Sequence, residues 1–269
     1  MIRLVITDID GTLGPDGASK LPERLLEIIP LLKQKGILFA AASGRQLASL
    51  KNLFKDVLKD VIFIAENGAY VVCRDTCLSV SPMKRNLVEE LTADLRQYES
   101  EGGFLTASTP EALHVENDDK VFLDFLINGY RNNTKIVKDV LKLDTPIIKM
   151  SLYREKGIGD LGTKVLIPKW QDRLKAVMAG SMWVDFMDLQ VDKGYAITRI
   201  QEITGISPEE CICFGDNEND CSMFKAVKTS YAVENALPEV KKLATDVIPG
   251  YKDNCVINVL EKILKECEE

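Results

Sequence analysis

The sequence predicts an α/β protein in which a parallel-sheet core is interrupted by an inserted α+β module. Three observations carry that expectation. At both ends of the chain short apolar runs alternate with amphipathic helical patterns, the order that winds a parallel sheet. In the middle, strand-like runs at hairpin spacing replace that alternation. Apolar runs at the two ends also stop at acidic residues: Asp8 and Asp10 after the first, and Asp216 and Asp220 after a late one. The core is assigned to residues 1–82 and 188–269, and the insert to residues 83–187.

The elements follow in order. Leu4-Val5-Ile6-Thr7-Asp8 reads as a buried strand, then a Gly-, Pro- and Asp-rich loop runs from Gly14 to Lys20. A helix begins near Pro22 with Leu25, Leu26, Ile29 and Leu32 on one face and Gly36 as its stop, although Pro30 argues against straightness. Ile37 to Ala42 is the second strand, ending in Ser43-Gly44-Arg45, and Leu47, Leu50, Leu53, Phe54 and Val57 mark the next helix. Backbone N–H groups at that junction favour an anion. Val61 to Ala65 is a third strand, and Glu66-Asn67-Gly68 turns it into a hairpin with Ala69 to Cys73.

Past Ser81-Pro82 a helix spans about residues 84–98, with Leu87, Leu91 and Leu95 at a spacing of four. Strands are expected at Phe104 to Ala107, Leu113 to Glu116, Val121 to Ile127, Ile147 to Tyr153, Lys164 to Ile167 and Met182 to Met187. Helices are expected from Lys135 to Leu141 and from Lys169 to Met178. The parallel pattern resumes at Lys193-Gly194, which opens a helix containing Ala196, Ile197, Ile200 and Ile203. Cys211 to Phe214 is a strand running into Gly215-Asp216-Asn217-Glu218-Asn219-Asp220. A strand at Thr229 to Val233, a helix at Ala236 to Ala244, a strand at Asp246 to Ile248 and a helix at Val256 to Leu264 complete the chain.

Composition narrows the function. A chain of 269 residues, 46% of them hydrophobic, has material for one large domain or two ordinary ones. A net charge of −7 excludes a nucleic-acid surface, because phosphodiester backbones select basic faces. Met1 leads straight into a strand and no apolar run reaches ~18 residues, so the expectation is a cytoplasmic protein with no membrane partner, acting as a monomer or small homo-oligomer. Seven cysteines without a repeated C-x-x-C indicate neither a disulfide framework nor a zinc site. Cys73 and Cys77 read as flanking a hairpin turn, and Trp170 and Trp183 as core residues. His114 is the only histidine and reads as a surface or capping residue, so acid–base chemistry near neutral pH falls to carboxylates or lysines.

The two-residue period of an extended chain puts Asp10 near the same side as Asp8, and Gly11 lets the backbone turn. Carboxylates this close repel, and they share a proton or a divalent cation. Asp8-Ile9-Asp10-Gly11-Thr12 resembles the first motif of the haloacid dehalogenase superfamily; Ser43, Lys193 and Gly215 to Asp220 match the other three in order. The position of the insert and the G-D-x-x-N-D form of the last motif resemble the Cof-type branch, whose cap is an α/β module. That resemblance implies a Rossmann-like core with an inserted cap that sets substrate specificity.

It also implies a set of roles. Asp8 is the nucleophile, forming an acyl phosphate, and Asp10 is the acid and then the base. Mg²⁺ is held by Asp8, the Asp10 backbone carbonyl and Asp216, with Asp220 orienting a water of the ion. Lys193, Ser43, Thr12 and the amides near Gly11 and Gly44 hold the phosphate oxygens, and Asn219 positions Lys193 or phosphate. Arg45 and Asn67, with Asn128, Tyr130 and Arg131 of one cap loop, are candidates for contact with the leaving group. The substrate is a small phosphorylated metabolite, in first place a sugar phosphate.

Plainer readings compete at each position. Neither acidic cluster carries the Glu that a calcium loop of the EF-hand type needs at its twelfth position. Lys193 and Asp220 in isolation are ordinary helix-end charges. Asp192 stands where the superfamily commonly has a small polar residue, and Asn254-Cys255 where an acidic-Gly pair often occurs. Asp10 disfavours the dehalogenase and ATPase branches. A phosphomutase using the same aspartate and a metabolite-binding protein with a vestigial site remain as rivals.

Overall fold

The structure is a computed structural model that describes residues 1–267; the last two residues of the segment expected over 188–269 lie outside the described residues. The chain opens with β1 (Leu4–Asp8), α1 (Glu23–Gln34), β2 (Leu38–Ala42), α2 (Leu47–Leu53), β3 (Val61–Ala65), β4 (Tyr70–Cys73) and β5 (Thr76–Val80). It continues through α3 (Arg85–Leu95), β6 (Gly103–Ser108), β7 (Leu113–Val115), α4 (Lys120–Asp124), β8 (Thr134–Ile136), β9 (Lys149–Arg154), α5 (Ile167–Trp170), β10 (Leu174–Ala179) and β11 (Trp183–Asp188). It ends with α6 (Lys193–Thr204), β12 (Cys211–Gly215), α7 (Cys221–Ala226), β13 (Thr229–Val233), α8 (Pro238–Leu243), β14 (Asp246–Ile248) and α9 (Cys255–Glu266).

These elements form two compact units, Met1–Ser79 together with the chain from Asp192 onward, and Val80–Val191. The first unit is built on an eight-stranded sheet in the order β14-β13-β12-β1-β2-β3-β4-β5. Pairing is parallel from β14 to β3, and β4 turns back antiparallel to β3. All five residues of β1 are buried, as a central strand covered on both faces requires. Helix α1 turns Leu25, Ile28, Ile29 and Leu32 into the core, the helical stripe expected of a covering layer. Pro30 lies inside this helix without ending it. Parallel pairing brings the carboxyl ends of β1, β2 and β12 to one edge, where Asp8, Ser43 and Asp216 stand.

The second unit carries a six-stranded sheet in the order β10-β11-β9-β6-β7-β8, antiparallel apart from the β7–β8 pair. Several sequence expectations fail here. The strand expected at Val121 to Ile127 is α4 followed by a π-turn at Phe125–Gly129. The run is rich in strand formers, but the Asp119 carboxylate accepts from Phe122 N at 2.9 Å and caps a helix that buries Phe122 and Leu126, four residues apart. The helix expected from Lys135 to Leu141 is instead β8, parallel to β7, and a short 3₁₀ turn at Val140–Lys142. Lys164 to Ile167 is helical rather than extended and leads into α5; Leu166 just before α5 and Trp170 within it are buried at helical spacing.

The helix expected over Lys169 to Met178 stops at Trp170, and Leu174–Ala179 pairs antiparallel with β11 instead. The turn of that hairpin contains Gly180 at φ +70°. His114 is buried on β7, against the expectation of a surface or capping residue, with Nδ1 3.3 Å from the Ala107 carbonyl. Burial lowers its pKa below the ordinary value. Strand β5 is the second arm of the hairpin expected between Cys73 and Cys77. Among the described residues no helix is long and apolar enough to cross a membrane.

Candidate active site

Strand β1 delivers Asp8 to the sheet edge, where it is 5% exposed. The chain then turns at Gly11, whose φ is +89° and whose missing side chain is essential: a Cβ there would stand 2.3 Å from Asp216 Oδ2. The loop after β1 is thereby pressed against the loop after β12. Thr12 Oγ1 donates to Asp216 Oδ1 at 2.8 Å, and Asn235 Nδ2 donates to the Gly11 carbonyl at 2.8 Å.

Lys193 is the first residue of α6, and Asp192 caps that helix by accepting from Tyr195 N at 2.8 Å. The Lys193 side chain is fully buried, and Nζ lies 2.5 Å from Asp8 Oδ1 and 2.6 Å from Asp220 Oδ1. The other Asp220 oxygen accepts from Asp216 N at 2.9 Å and Asn217 N at 3.0 Å. Asp220 is thus a brace, holding the ammonium on one side and the Asp216 loop on the other.

Carboxylate oxygens of Asp8, Asp216 and Asp220 all lie within 4.8 Å of one another. Three carboxylates stand around one ammonium that pairs with two of them, and the charge imbalance marks their titration. Burial pushes the Asp8 carboxyl well up, repulsion from Asp220 and Asp216 adds to this, and Lys193 opposes it. Asp216 is pushed up to about 6 by burial and by Asp220, against the Thr12 hydrogen bond. Burial alone would lower the Lys193 pKa, but Asp220 and Asp8 outweigh it and hold the ammonium protonated.

Asp10 points elsewhere. Its carboxylate takes a bidentate pair from Arg45, with Nε 2.8 Å from Oδ2 and Nη2 on Oδ1, and Gly17 N donates to Oδ1 at 2.9 Å. Arg45 Nη1 also reaches the Ala18 carbonyl at 2.9 Å. Arg45, singled out in the sequence as a contact for a leaving group, is here bonded to Asp10 and to the loop after β1. The sequence held no signal for this pairing across |i−j| = 35.

Ser43 is buried at the end of β2, its Oγ accepting from Arg45 N at 3.2 Å and its carbonyl from Asn67 N at 2.9 Å. Gly44 sits against the Asn67 amide. Glu66, Asn67 and Gly68 all have positive φ, of 52°, 55° and 101°. The turn is that tight because Gly68 packs on the backbone of Asp192, where a Cβ would meet the carbonyl oxygen at 2.3 Å. Asn219 Nδ2 donates to Asn67 Oδ1 at 3.1 Å.

The three candidates from the inserted segment belong to the second unit. Asn128 donates to Asp124 Oδ1 at 2.6 Å, Tyr130 packs edge-on against Phe125 at 4.8 Å, and Arg131 is exposed with φ +57°. Asn235 and Ser222, whose Oγ accepts from Gly194 N at 3.0 Å, support the site without any motif to announce them.

A mostly parallel sheet with a buried acidic cluster and a buried lysine at its carboxyl edge is the arrangement of an α/β protein suited to phosphoryl transfer. The sequence model of the haloacid dehalogenase-like hydrolases matches residues 5–260, and the chain belongs to that family. It is 25% identical over 264 residues to the 5-amino-6-(5-phospho-D-ribitylamino)uracil phosphatase of Escherichia coli, covering 98% of this chain and 97% of that one. It is 27% identical to the phosphoglycolate phosphatase of Methanopyrus kandleri, over the full length of both. A crystal structure from Eubacterium rectale superposes with a TM-score of 0.88 at 32% identity, covering 97% of this chain and 99% of the other. The protein is an enzyme, a phosphatase of the Cof-type branch that the motifs resemble.

Proposed function

We propose that this phosphatase is a Mg²⁺-dependent phosphomonoester hydrolase that works through an aspartyl-phosphate on Asp8. The observation that carries the reading is the set of three carboxylates within 4.8 Å around a single buried ammonium. Their donor chemistry fits a hard dication: the oxygens are close, the site has a formal charge of −2 from three carboxylates and one lysine, and Asp8 and Asp216 are both pushed up by that crowding. Asp8 and Asp216 would hold the ion, with the Asp10 carbonyl completing the protein's share. When bound, the ion supplies charge neutralisation for an incoming phosphate ester.

The chain's own residues perform the remaining work. Lys193 fixes the Asp8 carboxylate through Oδ1, leaving the other oxygen as the attacking atom. As the Asp8–phosphorus bond forms and the ester bond breaks, Asp10 gives its proton to the leaving oxygen. It then takes a proton from the water that cleaves the acyl phosphate, restoring Asp8. Arg45 and the Gly17 amide hold the Asp10 carboxylate, the form that accepts the proton in the second step; the first step uses Asp10 protonated and let go by the Arg45 fork. Ser43, Thr12, Gly11, Gly44 and Asn219 line the edge where phosphate oxygens would sit, and Lys193 opposes charge that spreads onto them.

The substrate is a small phosphorylated metabolite, a class supported by relatives named for a phosphoribityl compound and for phosphoglycolate. A sugar or polyol phosphate is the reading preferred within it. The segment expected over residues 83–187 would supply recognition of the leaving group. A panel of phosphorylated metabolites assayed with Mg²⁺, Mn²⁺ and Co²⁺ tests this. Release of free phosphate by wild type and not by Asp8→Asn is the expected result; no turnover of any phosphoester would sink the proposal.

A further inference from the structure

One turn joins two loops and a helix start that make the site. Glu66, Asn67 and Gly68 follow β3, and two of their amides bond the loop after β2: Asn67 N donates to the Ser43 carbonyl at 2.9 Å and Glu66 N to the Arg45 carbonyl at 3.1 Å. Gly68 packs on the backbone of Asp192, one residue before Lys193. The Asn67 side chain reaches the loop after β12, where its Oδ1 accepts from Asn219 Nδ2. Every residue of this contact belongs to the first unit.

The turn holds its shape against local preference. A glutamate at φ +52° lies outside the region its Cβ prefers, and such backbone persists where the surroundings fix it. Asparagine tolerates φ +55° better than most residues, which explains its presence at position 67 but not where its amide goes. Asn67 is 6% exposed, and the Gly44 backbone lies against the amide: a Cβ on Gly44 would stand 3.1 Å from Oδ1 and 3.3 Å from Nδ2. The amide is confined between Gly44 and Asn219.

An asparagine side chain presents either its oxygen or its NH₂ group on a given side, according to a half-turn about its last bond. A phosphoryl oxygen of a dianion only accepts, so an amide that serves it must turn its NH₂ group that way. Asn67 Oδ1 accepts one hydrogen of Asn219 Nδ2, which keeps the nitrogen on the side of Asn67 and the Ser43–Gly44 loop and leaves its second hydrogen to donate. Asn219 is exposed on the short 3₁₀ turn Glu218–Asp220, so without this bond both orientations of its amide are open to it.

We propose that Asn67 is a positioning residue for phosphate: it fixes the Asn219 amide as a donor to the phosphoryl oxygens and does not touch the leaving group. This deepens the reading above and rests on it for where phosphate sits. Inorganic phosphate is titrated calorimetrically in Mg²⁺ into wild type, Asn219→Ala, Asn67→Gly, Asn67→Asp and the two double variants. Glycine takes φ +55° without penalty, so Asn67→Gly removes the amide and keeps the turn, while Asn67→Asp keeps an acceptor for Asn219. Asn219→Ala is expected to weaken phosphate about 10-fold in the wild-type and Asn67→Asp backgrounds, and by less than ~2-fold in the Asn67→Gly background. A cost equal in all three backgrounds, a cost lost in Asn67→Asp, or no binding by wild type overturns the inference. Asn67→Gly should also lower kcat/KM by one factor, about 5–10, for both para-nitrophenyl phosphate and glycerol 3-phosphate. Unequal factors would make Asn67 a contact of the leaving group and overturn it too. Wild type that releases phosphate from neither ester defeats the hydrolase reading, and the titration still decides whether Asn67 acts through Asn219.

Discussion

Replacing Lys193 by methionine tests the charge architecture most directly. The ammonium sits in fully buried surroundings with carboxylate oxygens at 2.5 and 2.6 Å. At an effective dielectric of ~20, each such contact is worth about 6–7 kcal/mol before desolvation. Burying the ammonium returns several kcal/mol of that, so the expected net loss in Lys193→Met is about 3–5 kcal/mol, mostly from Asp8 and Asp220 left facing each other. Against a total stability of about 5–15 kcal/mol this is a severe change for an uncharged side chain of similar length.

The pH dependence distinguishes this account from a packing defect. Asp8 already has a raised pKa, and loss of Lys193 removes an influence that lowers it. A carboxyl raised in the folded state binds protons more readily folded than unfolded, so acidification favours folding and the deficit shrinks from pH 7.5 to pH 5. Lys193 is itself raised above 10.5, so its contribution is complete below that pH and is lost as the pH climbs through its folded value. Urea denaturation followed by far-ultraviolet circular dichroism is the suitable assay, because Trp170 and Trp183 both lie in the second unit and would not report on the first. A deficit under ~1 kcal/mol at pH 7.5, or one that grows on acidification, refutes the reasoning.

Three further outcomes are expected. Gly11→Ala places a Cβ 2.3 Å from Asp216 Oδ2 at φ +89°, and should destabilise the first unit by about 1–3 kcal/mol and abolish phosphate release, read by denaturation and a free-phosphate assay. Chelator-treated protein should gain about 2 kcal/mol as the pH falls from 7 to 4, because Asp216, raised to about 6, protonates in the folded state first; millimolar Mg²⁺ should flatten that slope in thermal melts. Arg45→Met should lower kcat by about 10-fold or more with little change in KM, and Arg45→Lys should recover part of the loss, since a lysine restores the charge but not the fork around Asp10.

The core was legible in the sequence because its signals are local and reinforce one another. A fully apolar strand ending in Asp8, a helix opened by Lys193 and a strand running into Asp216 each announce both an element and a position on one sheet edge. The inserted unit was harder to read because its segments carry conflicting preferences. Val121 to Ile127 has strand-forming residues but a capping aspartate and two buried positions four apart, and packing decided the outcome. Leu174–Ala179 is extended because Trp183–Asp188 is there to pair with it, a partner that no window over the segment itself contains. Within the site, the motifs located Asp8, Asp216, Asp220 and Lys193, but not the bonds from Arg45 to Asp10 or from Asn219 to Asn67. Those join residues 35 and 152 positions apart through side-chain geometry alone.

The same charge count dictates how the proposed site must handle its ligands. Asp8, Asp216 and Asp220 contribute −3 and Lys193 +1, leaving −2 in buried surroundings. A phosphate dianion approaching that charge is repelled, and Lys193 compensates only in part because its ammonium is shared with two carboxylates. Affinity for phosphate should therefore depend on the cation: chelator-treated protein should bind inorganic phosphate at least ~100-fold more weakly than protein in millimolar Mg²⁺, a coupling of about 3 kcal/mol that linkage makes reciprocal. Calorimetric titration of phosphate with and without Mg²⁺ reads the ratio, and equal affinities would mean that phosphate is held away from this cluster. Neutralising a carboxylate should act in the same direction as the cation. Asp220→Asn, which keeps an acceptor for the Asp216 and Asn217 amides, should narrow the gap by strengthening the cation-free affinity.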